Sequence, residues 1–239
     1  MAGKVHNYSF LKNYNYYIPT VADLFILLVW FILGILVGNV VTIAFTAIAG
    51  QDVALEYSML IAYPMMFIPP MIYAASKSHS NSMNRNGIKM DSNNFAPKGG
   101  LICVILVILG TISFSFCADA VTAIMPPMPA WLEDVLKGMT QGTVWVNFIC
   151  VSIYAPLFEE WLCRGMILRG MLKKSSPAVA IIISAAFFAL IHMNPWQAVP
   201  AFMLGCVFGY VYYRTGSIKL TMLMHCANNT FALVLSNID

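Results

Sequence analysis

The stretch Phe158-Glu159-Glu160-Trp161-Leu162-Cys163-Arg164 places two adjacent carboxylates and a guanidinium at the end of a long apolar run. An ionised carboxylate is costly in hydrocarbon, so acids inside a membrane-spanning segment indicate a functional site. On a helix Glu160 and Arg164 can pair at the i, i+4 spacing, whereas Glu159 points about 100° away from them. The simpler interpretation puts all three charges at the membrane surface, and the rest of the chain argues against it.

The composition around this stretch is that of a polytopic membrane protein. The 239 residues are 60% hydrophobic and 10% charged, whereas soluble domains carry about 25% charge. The segments without Asp, Glu, Lys or Arg are 24–50, 57–76, 101–118, 138–158, 175–213 and 220–238. A span needs roughly 20 mainly apolar residues, so the longest segment holds two helices, divided at Asn194-Pro195, and the others hold one each. We therefore predict an all-α membrane bundle of about seven transmembrane helices.

We expect residues 1–239 to form a single integral-membrane domain. Residues 19–142 supply the N-terminal spans and loops, with a short interfacial helix at 130–141 before the fourth span, and residues 143–236 supply the catalytic core spans. The polar stretch 1–19 lacks the apolar core of a cleavable signal peptide, so we expect it to be retained.

Two features of the first spans predict how they pack. Gly34-x-x-x-Gly38 in the first span has the spacing that lets two helices approach closely. Pro64 and Pro69-Pro70 in the second span predict a kinked or broken helix.

The basic residues predict the orientation in the cell membrane. They concentrate at the N-terminus (Lys4, Lys12), in the loop 77–98 and in the turns 169–174 and 214–219. Seven spans would put these segments on one side, and cytoplasmic segments carry the excess of Lys and Arg. The N-terminus is therefore predicted to be cytoplasmic and the C-terminus to lie outside.

The remaining composition excludes several kinds of partner. The six cysteines are spaced singly, without a Cys-x-x-Cys pair, which indicates buried small side chains rather than disulfides or a zinc knuckle. A net charge of +3 that is scattered along the chain does not indicate nucleic-acid binding. The lipid bilayer is the expected partner, and the sequence sets no oligomeric state.

Two further polar pairs lie in the late spans. His192 follows Phe188 by one turn at the end of the fifth span, and His225 and Asn229 share one face of the seventh. A lone histidine in an apolar helix is often structural, but polar groups in lipid seek each other. Counted from the basic ends, His225 lies about 10 Å deep and His192 about 22 Å, so a tilt or a broken helix must bring them together.

The residue types in these pairs specify hydrolysis of a carbonyl compound. Glu159 and an imidazole can hold and deprotonate a water molecule. His225 and Asn229 offer N–H donors for an oxyanion, and Glu160 with Arg164 supports the helix face that carries Glu159. In a membrane the natural carbonyl substrate is a peptide bond.

A metal-dependent version of this chemistry stays open at this point. Glu159, His192 and His225 could bind zinc and leave a position for water. The chain has no His-Glu-x-x-His motif, and these ligands would come from three helices. We slightly favour a metal-free mechanism in which glutamate and histidine hold the water.

The three motifs resemble those of the CAAX protease and bacteriocin-processing (CPBP, or Abi) family of intramembrane proteases. They are Glu159-Glu160-x-x-x-Arg164, Phe188-x-x-x-His192 and His225-x-x-x-Asn229, in this order on three spans. The resemblance covers roughly residues 143–235. It implies an all-α membrane fold with a cavity between spans and endopeptidase activity.

The resemblance also implies roles for the motif residues. Glu159 and His192 would activate the water, His225 and Asn229 would form the oxyanion site, and Glu160, Arg164 and Phe188 would support them. Family members include eukaryotic enzymes that trim prenylated CAAX proteins and bacterial ones linked to bacteriocin immunity and peptide maturation, and zinc dependence is disputed among them. This short chain is similar to the bacterial branch, so prenylated substrates are not expected.

The sequence therefore predicts a multi-pass intramembrane endopeptidase that acts on a membrane-associated peptide or protein. The alternative is a non-catalytic membrane partner or immunity protein that binds a bacteriocin or a peptide transporter and keeps the polar residues for structure. A proton-coupled carrier would need a paired repeat of broken helices, which the chain lacks.

Overall fold

The computed structural model describes residues 13–82, 87–139 and 142–236. Within these ranges the chain forms nine helices and no strand. They are α1 (Val21–Ala49), α2 (Gln51–Tyr57), α3 (Met59–Asn81), α4 (Gly100–Ala123), α5 (Ala130–Met139), α6 (Val144–Met171), α7 (Pro177–Leu190), α8 (Pro195–Thr215) and α9 (Ile218–Leu235). The predicted all-α membrane bundle is confirmed.

Four helices are long and apolar enough to cross a membrane. They are α1, α3, α4 and α6, with 29, 23, 24 and 28 residues. The apolar helix α7 is shorter, with 14 residues, and α8 and α9 occupy the remaining two predicted spans. The total of seven spans stays a prediction.

Helices α1 and α3 pack closely through two glycines. A Cβ atom on Gly34 would lie 2.7 Å from the carbonyl carbon of Met66, and one on Gly38 would lie 3.1 Å from the carbonyl oxygen of Ala62. The close approach predicted from the glycine spacing is therefore present. Helix α3 runs unbroken through its three prolines, so the predicted break at these residues is wrong. The helix is interrupted instead at Ser58, between α2 and α3.

Helix α6 is not a regular α-helix. Two π-helical segments, Phe148–Tyr154 and Trp161–Leu168, flank the α-helical stretch Ala155–Glu160. The N–H of Ala155 donates to the carbonyl of Cys150, five residues back, as in a π-helix. Such segments occur frequently at functional sites. The first π-helical segment ends at Tyr154, and the second begins at Trp161, directly after the two adjacent glutamates.

The basic end of the bundle gathers four connecting segments. The buried Arg169 donates to the carbonyls of Ile88 and Tyr14 at 2.8 and 2.6 Å. Asp91 accepts from the backbone N–H of Ile218 at 3.0 Å and pairs with Lys219 at 3.1 Å. These contacts put the basic segments at one end, as predicted, although Lys4, Lys12 and Arg85 lie outside the described residues.

The described part of the connection between α3 and α4, from residue 87 onward, packs against the bundle. Helix α3 continues to Asn81, and the side chain of Met90 is only 2% exposed. The hydroxyl of Tyr212 donates to the carbonyl of Met90 at 2.8 Å. Before α6, the helix α5 forms within the predicted range 130–141, of which residues 140 and 141 lie outside the described part.

Candidate active site

The buried ion pair between Glu160 and Arg164 is the base of the site. Both side chains are 0% exposed, and Nη1 of Arg164 lies 2.7 Å from Oε1 of Glu160. Nη2 of Arg164 donates to the carbonyl of Gly205 at 2.9 Å, and the guanidinium carbon lies 4.7 Å from the ring centre of Phe188. The predicted i, i+4 pair is therefore present, and it ties α6 to α7 and α8.

His225 lies between the two glutamates. Its Nδ1 is 3.1 Å from Oε1 of Glu160, and its Nε2 is 3.8 Å from Oε2 of Glu159. The imidazole is buried at 4% exposure. Because a carboxylate only accepts hydrogen bonds, Nδ1 carries the hydrogen and Nε2 is the ring nitrogen on the Glu159 side. Glu160 therefore orients the imidazole of α9 as well as pairing with Arg164.

Glu159 points away from the ion pair, as the helix spacing predicts. Its side chain accepts a hydrogen bond from the hydroxyl of Tyr63 at 2.7 Å through Oε1, while Oε2 is the oxygen nearest His225. The residue is 8% exposed. One carboxylate oxygen is thus held by α3, and the other is directed toward α9.

His192 lies in the turn after α7, which ends at Leu190. Its Nδ1 is bonded to the carbonyl of Phe188 at 2.8 Å, so Nδ1 carries the hydrogen. The Phe188 ring contacts the imidazoles of both His192 and His225, at centroid distances of 5.1 and 5.4 Å. The early end of α7 therefore brings the two histidines together. No hydrogen bond or ion pair joins His192 to Glu159, both of which lie in the described part.

Asn229 lies one turn beyond His225 on α9, as predicted. Its Nδ2 donates to the carbonyl of Val151 at 2.9 Å, within the first π-helical segment, and its Oδ1 accepts from Asn228 at 3.1 Å. Asn228 in turn accepts from the hydroxyl of Ser115 on α4. Because an amide nitrogen has two hydrogens, Asn229 keeps one for a further acceptor.

Zinc binding by Glu159, His192 and His225 stays a prediction. Within the described ranges, no group of three or more His, Cys, Asp or Glu side chains is found that could hold a metal ion. Both ring nitrogens of His225 face carboxylates.

Sequence reasoning missed two buried contacts at this end of α6. Tyr63 does not stand out in the sequence as a site residue, because tyrosines are common near membrane interfaces and its partner, Glu159, is 96 residues away. The sequence places Arg169 among the basic residues of the turn 169–174. In the structure it is only 3% exposed and donates to two backbone carbonyls. Neither position carries a signal in the local sequence pattern.

Comparison with known proteins gives matches in the same part of the chain. The model of the type II CAAX prenyl endopeptidase Rce1-like family matches residues 141–231. The Bacillus subtilis (strain 168) protein named "Putative membrane peptidase YdiL" is 28% identical over 87 residues. That match covers 36% of this chain and 36% of the relative, so it spans about a third of each protein. No solved structure matches the chain.

The family match contains the Glu-Glu-x-x-x-Arg, Phe-x-x-x-His and His-x-x-x-Asn motifs, and the relative carries the name of a membrane peptidase. Helices α1 to α5 lie outside the matched residues. The resemblance inferred from the three motifs is therefore confirmed: over residues 141–231 the chain is similar to the type II CAAX prenyl endopeptidase Rce1-like family.

Proposed function

We propose that this multi-pass membrane protein is an intramembrane endopeptidase that hydrolyses a peptide bond in a membrane-associated peptide or protein. The observation that carries the proposal is the position of Glu159 beside His225. Oε2 of the carboxylate and Nε2 of the imidazole are 3.8 Å apart in a buried site. A reacting atom placed to one side of this gap can lie about 3 Å from both groups, as nucleophilic attack on a carbonyl requires.

Glu159 acts as the general base in this proposal. It accepts a proton from water, and the resulting hydroxide attacks the carbonyl carbon of the peptide bond. The carbon–nitrogen bond then breaks, and the proton held by Glu159 passes to the leaving amine. His192 helps to hold the water, because its Nδ1 is bonded to the Phe188 carbonyl and its Nε2 is left for a ligand.

His225 and Asn229 stabilise the negative charge that develops on the carbonyl oxygen. Nδ1–H of His225 donates to Glu160, and a hydrogen on Nε2 would donate to the substrate oxygen. The remaining amide hydrogen of Asn229 is the second donor. Donors that are already oriented in a buried site stabilise such an oxyanion without reorganisation.

Glu160 and Arg164 support the site without touching the substrate. Both are completely buried, and Arg164 is held by the carbonyl of Gly205 and the ring of Phe188. The pair keeps Oε1 of Glu160 in place, and this oxygen orients the imidazole of His225. The mechanism is metal-free.

The substrate is expected to come from the membrane in which these helices lie. Apolar side chains cover much of the surface of α1 and α4, including Ile43 and Leu101 at 69% and 75% exposure. A lipid-exposed surface of this kind suits a peptide that enters from the bilayer or lies along it. We place the protein in the cell membrane with its N-terminal segment cytoplasmic.

The test is cleavage of amphipathic peptides by purified protein in lipid–detergent micelles, followed by mass spectrometry. Glu159→Gln and His192→Ala should each reduce cleavage by about 10²-fold or more, because loss of a general base typically removes that much. Glu133→Gln is the matched control, since Glu133 lies on α5 and pairs only with the exposed Lys137. Cleavage should survive a chelator.

Three results would count against the proposal. Cleavage that is lost with the chelator and restored by zinc would show that the metal-free mechanism is wrong. Equal cleavage by the wild type, Glu159→Gln and His192→Ala would exclude these residues from catalysis. A folded wild type that cleaves no peptide but binds one would favour the non-catalytic membrane partner.

A further inference from the structure

The hydroxyl of Tyr63 reaches the active site from a helix outside the family match. Tyr63 lies on α3, whereas the matched residues begin at 141. Its oxygen is 2.7 Å from Oε1 of Glu159, across 96 residues of chain. We infer that Tyr63 is a positioning residue for the general base of the proposed peptidase, so this inference rests on the function proposed above.

The hydrogen bond from Tyr63 decides which carboxylate oxygen faces the reaction. Once Oε1 is occupied by the hydroxyl, Oε2 is the oxygen near Nε2 of His225, at 3.8 Å. A bond from a neutral donor to a charged acceptor is stronger than one between neutral groups. A base held in one rotamer approaches the water in one geometry, and small errors in this geometry are costly to the rate.

Tyr63 is itself held by aromatic packing. Phe67, one turn further along α3, stacks on Phe158 with a centroid distance of 5.2 Å and an interplanar angle of 16°. Phe67 also contacts the ring of Tyr63 at 5.7 Å. Since Phe158 precedes Glu159 in the chain, this stack couples the position of α3 to that of the general base.

The first helix fixes α3 at this level. The closest backbone approaches of α1 to α3 are Gly34 against Met66 and Gly38 against Ala62. These two residues of α3 lie on either side of Tyr63 in the sequence. Helices α1 and α3 therefore form one packed unit that holds the Tyr63 hydroxyl against Glu159. This gives a part of the chain outside the three motifs a role in catalysis.

A second tyrosine on the same helix provides a matched control. The hydroxyl of Tyr73 donates to Oδ1 of Asp23 at 2.5 Å. Asp23 is 1% exposed, pairs with Lys77 at 3.3 Å and caps the first turn of α1 with Thr20. Tyr63→Phe and Tyr73→Phe therefore each remove one phenol–carboxylate hydrogen bond from α3, and only the first bond involves the active site.

The experiment compares kcat, KM and detergent-induced unfolding of the two variants with the wild type. Tyr63→Phe should lower kcat by about 10- to 100-fold, as expected for a displaced catalytic group. Its KM should stay within about twofold, because the hydroxyl does not contact the substrate. Tyr73→Phe should keep kcat and KM and change only the unfolding midpoint.

A double-mutant cycle on unfolding tests the contact without using activity. The variant with both Tyr63→Phe and Glu159→Ala should lose less stability than the two single variants added together, because either change alone already removes the hydrogen bond. Strict additivity of the unfolding effects would overturn the contact.

The possible failures are distinguishable. An active wild type with unchanged kcat in Tyr63→Phe overturns the role of Tyr63 alone. Equal losses of kcat in Tyr63→Phe and Tyr73→Phe would show a general effect of α3 packing and also overturn it. A wild type without peptidase activity refutes the proposed function, and the catalytic role of Tyr63 with it, whatever the unfolding cycle shows.

Discussion

Replacing Arg164 by methionine tests how much the buried ion pair stabilises the fold. Methionine keeps much of the volume and the apolar contacts but removes the charge that neutralises Glu160. The carboxylate would remain 0% exposed and would keep the hydrogen bond from His225 at 3.1 Å. Breaking one partner of a buried pair costs about 3–5 kcal/mol, because the other charge stays uncompensated.

Two smaller losses accompany the change and act in the same direction. The carbonyl of Gly205 loses the donor at 2.9 Å, and a hydrogen bond from a charged group contributes about 1.5–3 kcal/mol. The rings of Phe188 and Phe208 lose the guanidinium at 4.7 and 5.4 Å. Because these effects share one side chain they are not additive, and we expect a total near the upper end of about 3–5 kcal/mol.

The measurement is unfolding by increasing detergent fraction, followed by tryptophan fluorescence in mixed micelles. Lys137→Met is the control, since it removes a partner from an i, i+4 pair that is 68% and 51% exposed, and it should leave the midpoint unchanged. Adding Glu160→Gln to Arg164→Met should restore part of the stability. The glutamine removes the orphaned charge and still offers an oxygen to His225.

A decrease of less than about 1 kcal/mol in the free energy of unfolding of Arg164→Met would refute the reasoning, because a buried charge without a partner costs more than that. The double variant separates charge from packing. Further destabilisation on adding Glu160→Gln would show that the carboxylate contributes through some contact other than the ion pair.

Two backbone predictions follow from the same coordinates. Gly34→Ala should destabilise the protein by about 1–3 kcal/mol, because the new Cβ would lie 2.7 Å from the Met66 carbonyl carbon. Gly110→Ala on α4 is the control, since its Cβ would meet open space and should not destabilise the protein. Equal unfolding midpoints of the two variants would contradict this. Met193→Gly should raise the unfolding midpoint, since Met193 has φ +57°, a left-handed conformation that costs an ordinary residue about 1–2 kcal/mol. Leu190→Gly, in a regular helical turn, should lower it, and a lower midpoint for Met193→Gly would show that its side chain outweighs the strain.

Much of the site could be predicted from local spacing. The pairing of Glu160 with Arg164 and the outward direction of Glu159 follow from the helical repeat alone. Their distances in the structure agree, at 2.7 Å for the pair. Such local geometry can be predicted from the sequence because it depends on a few consecutive residues of one helix.

Other parts of the site depended on irregular structure that periodicity does not report. The two π-helical segments of α6 contain ordinary apolar residues that would suit a regular helix. The early end of α7 puts His192 in a turn, where its ring contacts Phe188. The contact between Glu160 and His225, on a helix 65 residues away in the chain, also could not be read from spacing.

The sequence by itself determined a membrane-embedded α-helical protein and three polar motifs in a defined order, because composition and helical repeat are properties of neighbouring residues. Only the tertiary structure decided which groups meet. Tyr63 reaches Glu159 across 96 residues, and His225 reaches Glu160 across 65. Such contacts arise from the way separate helices pack, and the periodicity of a single helix does not encode them.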